Sequence, residues 1–341
     1  MKKLYALAAV VAVALTSCVK NEIAEPAGNE IAFKNFALSE NTRGDFAEVA
    51  DEFECFAIYE DENGTNRREF WSGAETIKKD GNTWSNSEDT YYWPKDGNLD
   101  FYAWYSPYKD DIDAKITAST DEEVGMTIAD LFIDEAKELL VADPAKNLTK
   151  NDVIIIFRHT TSRLGFYFAN ANADAATDPF KLTINSIEVA QLNEFASYAY
   201  KDGKHEWTAN TAKTPADKKF YTGNDVITTT KIESNTEATA QLELFPQAET
   251  VITIKYTVVD NNNFEYTGTY VINPTDTPWA VEANKWLANN DYHYNITFNF
   301  KWVDENGDGK KDPTEEDLEI HFKPEVEEWT VQTHTIYDER Q

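Results

Sequence analysis

The chain has 341 residues and a formal net charge of −30 at pH 7, from 31 Lys and Arg against 61 Asp and Glu. So acidic a surface repels nucleic acid and anionic membranes, which argues against both as ligands. A hydrophobic content of 41% with 13% aromatic residues supports a packed core and favours strands over helices.

The first 17 residues have the organisation of a secretory signal. A basic start precedes a short apolar run, residues 4–15, which is too short to span a bilayer. Residues 15–18, Leu-Thr-Ser-Cys, resemble the lipobox of bacterial lipoproteins, in which the signal is cut before the cysteine and the thiol receives lipid. This resemblance predicts a signal peptide over residues 1–17 and lipidation of Cys18. The alternative is an ordinary signal peptide in which Cys18 has no special role.

The segment that follows the cysteine contains a predicted strand and a predicted protease site. Residues 19–30 are polar, with one proline and one glycine, and predict a tether. Residues 31–38 are apolar-rich and of strand length. The polar residues 39–42 then lead to Arg43 and Gly44, an accessible site for a trypsin-like protease. Since the strand precedes this site, cleavage there would remove a strand from the fold.

Residues 44–150 are predicted to form a first β-sandwich. Cys55 alternates onto an apolar face and is predicted to be a small core residue rather than a nucleophile. One helix is predicted over residues 130–142, from apolar residues at helical spacing that end at Asp-Pro. Short β-type runs are separated by Gly-containing turn signals at residues 61–64, 79–82 and 95–98.

The remainder of the chain is predicted to form a second all-β domain, residues 151–341. The polar residues 146–152 indicate the linker, and residues 153–157 are the most apolar run after the leader. Further strands are predicted at residues 181–189, 239–244, 250–259, 266–272, 292–300 and 318–322.

Residues 304–315 satisfy the twelve-residue calcium-loop consensus. Side-chain oxygens of the kind that Ca²⁺ prefers recur at alternate positions, and Gly309 stands at the sharp turn. Strands rather than helices are predicted on both sides, so we expect a hairpin loop stiffened by calcium and not a sensor switch. A merely acidic turn is the alternative, and no other cofactor is predicted. The predicted ligands are Asp304, Asn306, Asp308, the carbonyl of Lys310, Asp312 and Glu315.

The last segment, residues 326–337, is predicted to be a strand with no partner after it in the sequence. Such a strand is a candidate donor for the sheet of another molecule. The residues that share its donor face are Trp329, Val331, Thr333, Thr335 and Tyr337.

No enzyme signature occurs in the sequence. A nucleophile elbow, a zinc-protease helix, a phosphate loop and a dinucleotide fingerprint are all missing, and the five histidines are scattered. Several tryptophans could form a sugar-binding platform, although core packing is the expected role for most of them. These tryptophans are Trp71, Trp84, Trp93, Trp104, Trp207 and Trp279.

A set of short motifs occurs in order over nearly the whole chain. The motifs are the lipobox, Ile-Ala-Phe at 31–33, Thr-Arg-Gly at 42–44, Tyr-Tyr-Trp-Pro at 91–94, Leu-Asp-Phe-Tyr-Ala-Trp-Tyr at 99–105, Phe-Arg-His at 157–159 with Leu-Gly-Phe at 164–166, Tyr-His-Tyr-Asn-Ile at 292–296, and Glu-Trp at 328–329. Together they resemble the fimbrillin-like proteins of Gram-negative anaerobes, the type V pilins. The calcium-type loop is not part of this family pattern.

The resemblance implies a fold and a route of assembly. The fold would be two tandem transthyretin-like β-sandwiches with little helix. The chain would be exported as a lipoprotein of the outer membrane, and an arginine-specific protease would remove residues 18–43. Other fimbrial subunits would then join head to tail at the cell surface, because residues 326–337 of a neighbour refill the groove that residues 31–38 vacate.

The function predicted from these features is a structural, non-enzymatic subunit of an adhesive fimbria. Arg43 argues against an anchor subunit, which would keep its lipid, and the terminal strand favours a stalk or adaptor over a tip. The alternative is a non-polymerising surface lipoprotein or tip subunit that binds glycan or a host or bacterial surface protein. A hydrolase with a scattered active site is the third hypothesis.

Overall fold

The computed structural model describes most of the chain after the leader, and what it describes is all-β, as the composition predicts. The helices within the described residues are two 3-10 helices, Asp113–Lys115 and Pro274–Asp276. None of the described helices is long and apolar enough to cross a membrane. The described residues are 30–38, 52–80, 83–86, 89–107, 112–120, 124–134, 136, 139–150, 152–173, 180–260, 263, 265–277, 282, 284–300 and 318–328.

The strands are short in the first half of the chain and longer in the second. The strands of the first half are β1 (Phe33–Leu38), β2 (Glu52–Glu60), β3 (Arg67–Glu69), β4 (Glu75–Asp80), β5 (Thr83–Asn86), β6 (Asn98–Tyr105), β7 (Ile116–Ala118), β8 (Val124–Phe132), β9 (Leu140–Asp143), β10 (Ala145–Leu148) and β11 (Val153–His159). Those of the second half are β12 (Ser162–Asn170), β13 (Lys181–Leu192), β14 (Phe195–Lys201), β15 (Lys204–Ala209), β16 (Ala216–Thr222), β17 (Val226–Ile227), β18 (Ala240–Leu244), β19 (Gln247–Ala248), β20 (Ile252–Val259), β21 (Glu265–Ile272), β22 (Lys285–Trp286), β23 (Asn290–Phe300) and β24 (Leu318–Glu328).

The first sheet has nine strands and closes on itself. Strands β2, β4, β5, β1, β11, β9 and β6 each pair with the next, and β6 pairs back to β2. Strand β3 extends the ring beside β2, and β10 extends it beside β6. Buried aromatic side chains, among them Phe53, Phe101 and Phe157, fill the interior of this closed ring.

The second half of the chain forms a sandwich of two sheets. We number these two sheets third and fourth, and keep the second for the sheet that joins the two halves of the chain. The third sheet has the strand order β18-β12-β23-β24, and the fourth has the order β16-β13-β20-β21. Their facing sides share one apolar core, because residues alternate between buried and partly exposed positions along strands such as β20. The packing includes the stacked rings of Phe166 and Tyr294, with centroids 4.8 Å apart.

A second sheet is built from both halves of the chain. Its order is β15-β14-β8-β7, so the hairpin of β14 and β15 pairs with strands that precede residue 150. Tyr198 and Phe245 from the later half pack with Trp104 in one buried cluster beneath this sheet. The two halves therefore share a hydrogen-bonded sheet and a core.

The predicted helix over residues 130–142 is wrong. The strand β8 ends at Phe132, and β9 begins at Leu140. Between Ile128 and Leu131 the strand β8 contains an extra residue relative to β14, and Asp130 has a positive φ of 44° there. The apolar residues that suggested a helix, Ile133, Ala136 and Leu139, follow this bulge and are buried in the connection between β8 and β9. There the amide of Ala136 donates to the carbonyl of Phe132 at 3.2 Å and that of Leu139 to the carbonyl of Ala136 at 3.1 Å, and these turns imitate the spacing of a helix.

The predicted linker over residues 146–152 is also partly a strand, since β10 pairs with β6. The most apolar run, which was assigned to the second domain, is β11, and it pairs with β9 and β1 in the first sheet. Both of its neighbours thus belong to the first half of the chain. The domain boundary at residue 150 stays a prediction.

Candidate functional site

Strand β1 lies inside the ring of the first sheet, between β11 and β5. It runs parallel to β11, from the pair of Phe33 with Val153 to that of Leu38 with Phe157. On its other side Phe33 pairs antiparallel with Trp84 of β5. Without β1, both neighbouring strands would have unpaired edges and the ring would be open.

The first residues of this segment are anchored by backbone hydrogen bonds. The amide of Ile31 donates to the carbonyl of Tyr91 at 2.9 Å, and the amide of Val153 donates to the carbonyl of Ala32 at 3.1 Å. Glu30 forms a bridge with Tyr92. The predicted strand at residues 31–38 is therefore confirmed, and its pairing begins just before β1 itself.

Two side chains of the segment belong to the core of the ring. Ile31 is 5% exposed and Phe33 is 3% exposed. The ring of Phe33 meets the rings of Phe53 and Phe101 edge-on, with centroids 5.9 and 5.6 Å away. Each such side chain contributes about 1.5–3 kcal/mol by leaving water. The groove that holds β1 is consequently apolar, and costly to leave empty.

A cavity of about 60 Å³ adjoins the start of β1. Around it, Glu75 accepts hydrogen bonds from the Tyr91 hydroxyl at 2.9 Å and from the Asn86 amide at 3.1 Å. These bonds hold the cavity walls in place. The lining includes Ile31 and Phe33 of the segment, the aromatic side chains of Trp71 and Tyr91, and the polar side chains of Ser85 and Asn86.

Cys55 is a core residue, as predicted. Its side chain is fully buried. This burial, and to a lesser extent the charge of Glu54, raises the pKa of the thiol well above its usual value. A thiol that is neutral and inaccessible is not a nucleophile. The residue therefore serves packing inside the ring.

The tryptophans mostly pack in the core rather than on a surface platform. Trp207 is partly buried and donates its indole N–H to the carbonyl of Thr160 at 2.8 Å. Trp279 lies outside the described residues. The expected core packing is confirmed for Trp71, Trp84, Trp93 and Trp104.

The other predicted site residues fall outside the described part of the chain. They are Cys18, Arg43, Gly44, the loop residues 304–315 and the donor residues 329–337. The strand predicted after the loop is confirmed, because β24 pairs antiparallel with β23 along its whole length. Residues 326–328 at its end pair with residues 290–292, so the start of the segment predicted as a free donor strand, residues 326–337, already has a partner within the chain. Among the described residues, no cluster of three or more His, Cys, Asp or Glu could hold a metal ion.

The sequence reasoning missed a junction between the two halves of the chain. His205 of β15 lies 2.7 Å from the Tyr198 hydroxyl and 2.9 Å from Asp143 of β9. Burial alone would raise the pKa of Asp143, but hydrogen bonds from His205 and Arg158 lower it below its usual value. Tyr198 is buried, and burial raises the pKa of its hydroxyl. The chain of contacts is a structural tie, since this hydroxyl has no access to a substrate.

Residues 40–329 match the protein family described as Fimbrillin-like. The match spans most of the sequence, and the chain therefore belongs to the fimbrillin-like family. A member of this family is a structural, non-enzymatic protein of fimbriae and cell adhesion, and its place is the cell surface. Among curated proteins, none matches the chain significantly.

Several solved structures are similar to this chain at low sequence identity. A fimbrial protein from Bacteroides vulgatus is 14% identical with a TM-score of 0.55, covering 81% of this chain and 92% of its own. A candidate cell adhesion protein from Bacteroides uniformis is 17% identical with a TM-score of 0.49, covering 89% of this chain and all of its own. A tip fimbrial protein from Porphyromonas gingivalis is 10% identical with a TM-score of 0.33, covering 80% and 93%. The first of these supports a shared fold.

Proposed function

We propose that the protein is a subunit of a surface fimbria that assembles by strand exchange. In this proposal β1 fills the groove of the first sheet until the chain is cut after Arg43. A terminal strand from a neighbouring subunit then takes its place. The observation that carries the proposal is the position of β1 within a closed ring of strands, ahead of the protease site in the sequence.

The energetics favour replacement of β1 over an empty groove. Losing β1 exposes the apolar surface that Ile31 and Phe33 cover and leaves the edges of β5 and β11 unpaired. An incoming strand that restores these contacts offsets the entropy lost on association. Because the donor end and the accepting groove are different surfaces, the contact is head to tail and builds an open filament.

The order of features along the chain supports a processing route. The lipobox at Cys18, the strand β1 and the site at Arg43 follow one another, so one cut would release lipid and strand together. The subunit would reach the outer membrane as a lipoprotein and leave it as part of an extracellular fimbria. Its partners would be an arginine-specific protease, other fimbrial subunits and a ligand on a host or bacterial surface.

We also propose that the two halves of the chain are tandem transthyretin-like sandwiches. The third and fourth sheets face each other over one core in the later half, and the first and second sheets do so in the earlier half. In this arrangement the hairpin of β14 and β15 belongs in sequence to the later half and in space to the earlier one.

Brief trypsin treatment of protein that begins at Val19 tests the proposed function. We expect one early cut after Arg43, seen by intact mass, followed by a ladder of detergent-resistant oligomers on an unheated denaturing gel. A chain truncated after Glu328 should be cut equally fast and yield no ladder, because it keeps the groove and lacks the donor. The matched control is Arg43→Gln, which should remain uncut and monomeric.

Two results would contradict the proposal. A wild-type chain that is cut after Arg43 and stays monomeric is a surface lipoprotein or a tip subunit instead. A ladder that persists after truncation at Glu328 would mean that the donor lies elsewhere in the chain.

The loop at residues 304–315 carries a separate proposal, a structural calcium ion. We expect a chelator to lower the melting temperature of the wild type, and Asp304→Ala to abolish that difference, since a carboxylate ligand is lost. Differential scanning fluorimetry with and without calcium measures both. Asp61→Ala, in another acidic turn in which Asp61 accepts hydrogen bonds from Thr65, is the control and should leave the chelator effect intact. Equal melting of the wild type in calcium and in chelator would rule the ion out.

A further inference from the structure

We propose that the cavity beside β1 is a pocket for an aromatic side chain of the strand that replaces β1. Strand β1 leaves this pocket empty, which makes it a weaker occupant of the groove than its successor. The inference rests on the strand exchange proposed above, and it adds the chemistry by which the incoming strand is recognised.

The cavity lies in an otherwise close-packed groove. Phe33 makes edge-on ring contacts with its neighbours, whereas the adjoining space of about 60 Å³ holds no side chain. Ile31 and Phe33 both line that space and neither fills it. The exposed residues Glu30, Asp89 and Thr90 also line it, so the cavity reaches the surface at the start of β1.

The walls of the cavity suit an aromatic ring with a polar end. Trp71 and Tyr91 form one wall with ring centroids 5.0 Å apart, and tilted ring contacts of this kind extend readily to a third ring. Ser85 and Asn86 also line the cavity, and their polar side chains could bond an indole N–H or a phenol hydroxyl. A plain aliphatic side chain would match the aromatic lining residues but not these polar ones.

The end of this chain carries such side chains at the required places. The strand β24 stops at Glu328, opposite Asn290, and Trp329 follows directly. Residues 329–337 are as long as residues 30–38, and their donor face has an aromatic residue at each end with Val331, Thr333 and Thr335 between them. The cavity adjoins Ile31 and Phe33 at the start of the groove. In the proposal Trp329 fills it if the donor runs in the direction of β1, and Tyr337 fills it if the donor runs the opposite way. The proposed occupant is therefore the terminal segment of a second copy.

Filling the pocket from β1 itself provides the first test, and it does not require assembly. In the full chain we expect Ile31→Trp to raise the melting temperature and, after trypsin cleavage at Arg43, to slow the release of residues 19–43 about tenfold. Ile31→Ala enlarges the cavity and should speed that release. Ile31→Phe is the smaller filling variant if the tryptophan folds poorly. A fall in melting temperature for both filling variants would show that the pocket accepts no ring, and would overturn the inference.

The donor side provides the second test, by the rate of ladder formation after cleavage. We expect either Trp329→Ala or Tyr337→Ala to slow assembly about tenfold, with Thr333→Ala as the matched control of little effect. If assembly proceeds at the wild-type rate in both aromatic variants, the pocket inference fails while strand exchange stands. If the wild type forms no ladder at all, strand exchange fails and the inference with it.

Discussion

Phe33→Ala is expected to lower the free energy of unfolding of the uncut protein by about 3–5 kcal/mol. Phe33 is 3% exposed and meets Phe53 and Phe101 edge-on inside the closed ring. Its removal would merge a new void with the cavity that already adjoins it, so the loss should fall in the upper part of that range. Urea denaturation followed by tryptophan fluorescence measures the difference.

Phe70→Ala is the matched control for this experiment. Phe70 is only partly buried and packs against the core of the first sheet, so its truncation to alanine should lower the free energy of unfolding markedly less. Phe33→Leu should recover most of the lost stability, since it restores most of the volume. A loss below about 1 kcal/mol for Phe33→Ala would contradict the placement of β1 inside the ring.

Asp100→Ala is expected to destabilise the protein by about 2–4 kcal/mol, because it leaves the buried guanidinium of Arg67 with only one of its two carboxylate partners, Glu60 at 2.8 Å. Arg67 of β3 donates to Asp100 of β6 through both terminal nitrogens, at 3.1 and 3.0 Å. Asp100 is 2% exposed, and its other oxygen accepts the amide of Asn147 at 2.8 Å. The carboxylate thus joins three strands of the first sheet, and thermal and urea unfolding should both register its loss.

The double variant with Arg67→Met and Asp100→Leu separates the value of the pair from the cost of breaking it. We expect it to be more stable than Asp100→Ala, since the buried guanidinium is removed together with Asp100, and Glu60, the charge that remains, is the most exposed of the three. The control is Glu52→Ala, which breaks the exposed pair of Glu52 with Lys78, and it should cost less than about 1 kcal/mol. If Asp100→Ala were as mild as Glu52→Ala, the contact of Arg67 with Asp100 would contribute nothing to the fold.

The sequence predicted those features that depend on local alternation and on turns. The strand at residues 31–38 follows from an apolar-rich run of strand length between turn residues, and the inward face of Cys55 follows from apolar side chains at every second position; the structure confirms both. The strand after the loop, at residues 318–322, is confirmed for the same reason. The apolar run at residues 153–157 also proved to be a strand, but its partners could not be predicted.

Long-range pairing accounts for most of what the sequence could not predict. The parallel register of Phe33 with Val153 joins residues far apart in the chain, and no local pattern specifies it. The turns between β8 and β9 bury Ile133, Ala136 and Leu139 at a false helical period. The hairpin of β14 and β15 was missed although it had a recognisable signal, since Asp202 and Gly203 have φ values of 50° and 77° in a two-residue turn.

The candidate site divides in the same way. The apolar strand and the arginine that follows it can both be predicted from the sequence. The surroundings of that strand cannot, because the closed ring and the cavity between Trp71 and Ile31 form only when strands distant in the sequence pair.

The sheet shared by the two halves has a mechanical consequence. In a filament whose subunits each contain a flexible hinge between two domains, tension is taken up first by the straightening of those hinges. In this protein β8 and β14 are joined by backbone hydrogen bonds, and Tyr198 and Phe245 lie in one core with Trp104. To separate the two halves of the chain, these hydrogen bonds must break and the side chains of the shared core must become exposed to water. A fibre made of such links would bend at the joints between molecules, and each molecule would act as a stiff rod.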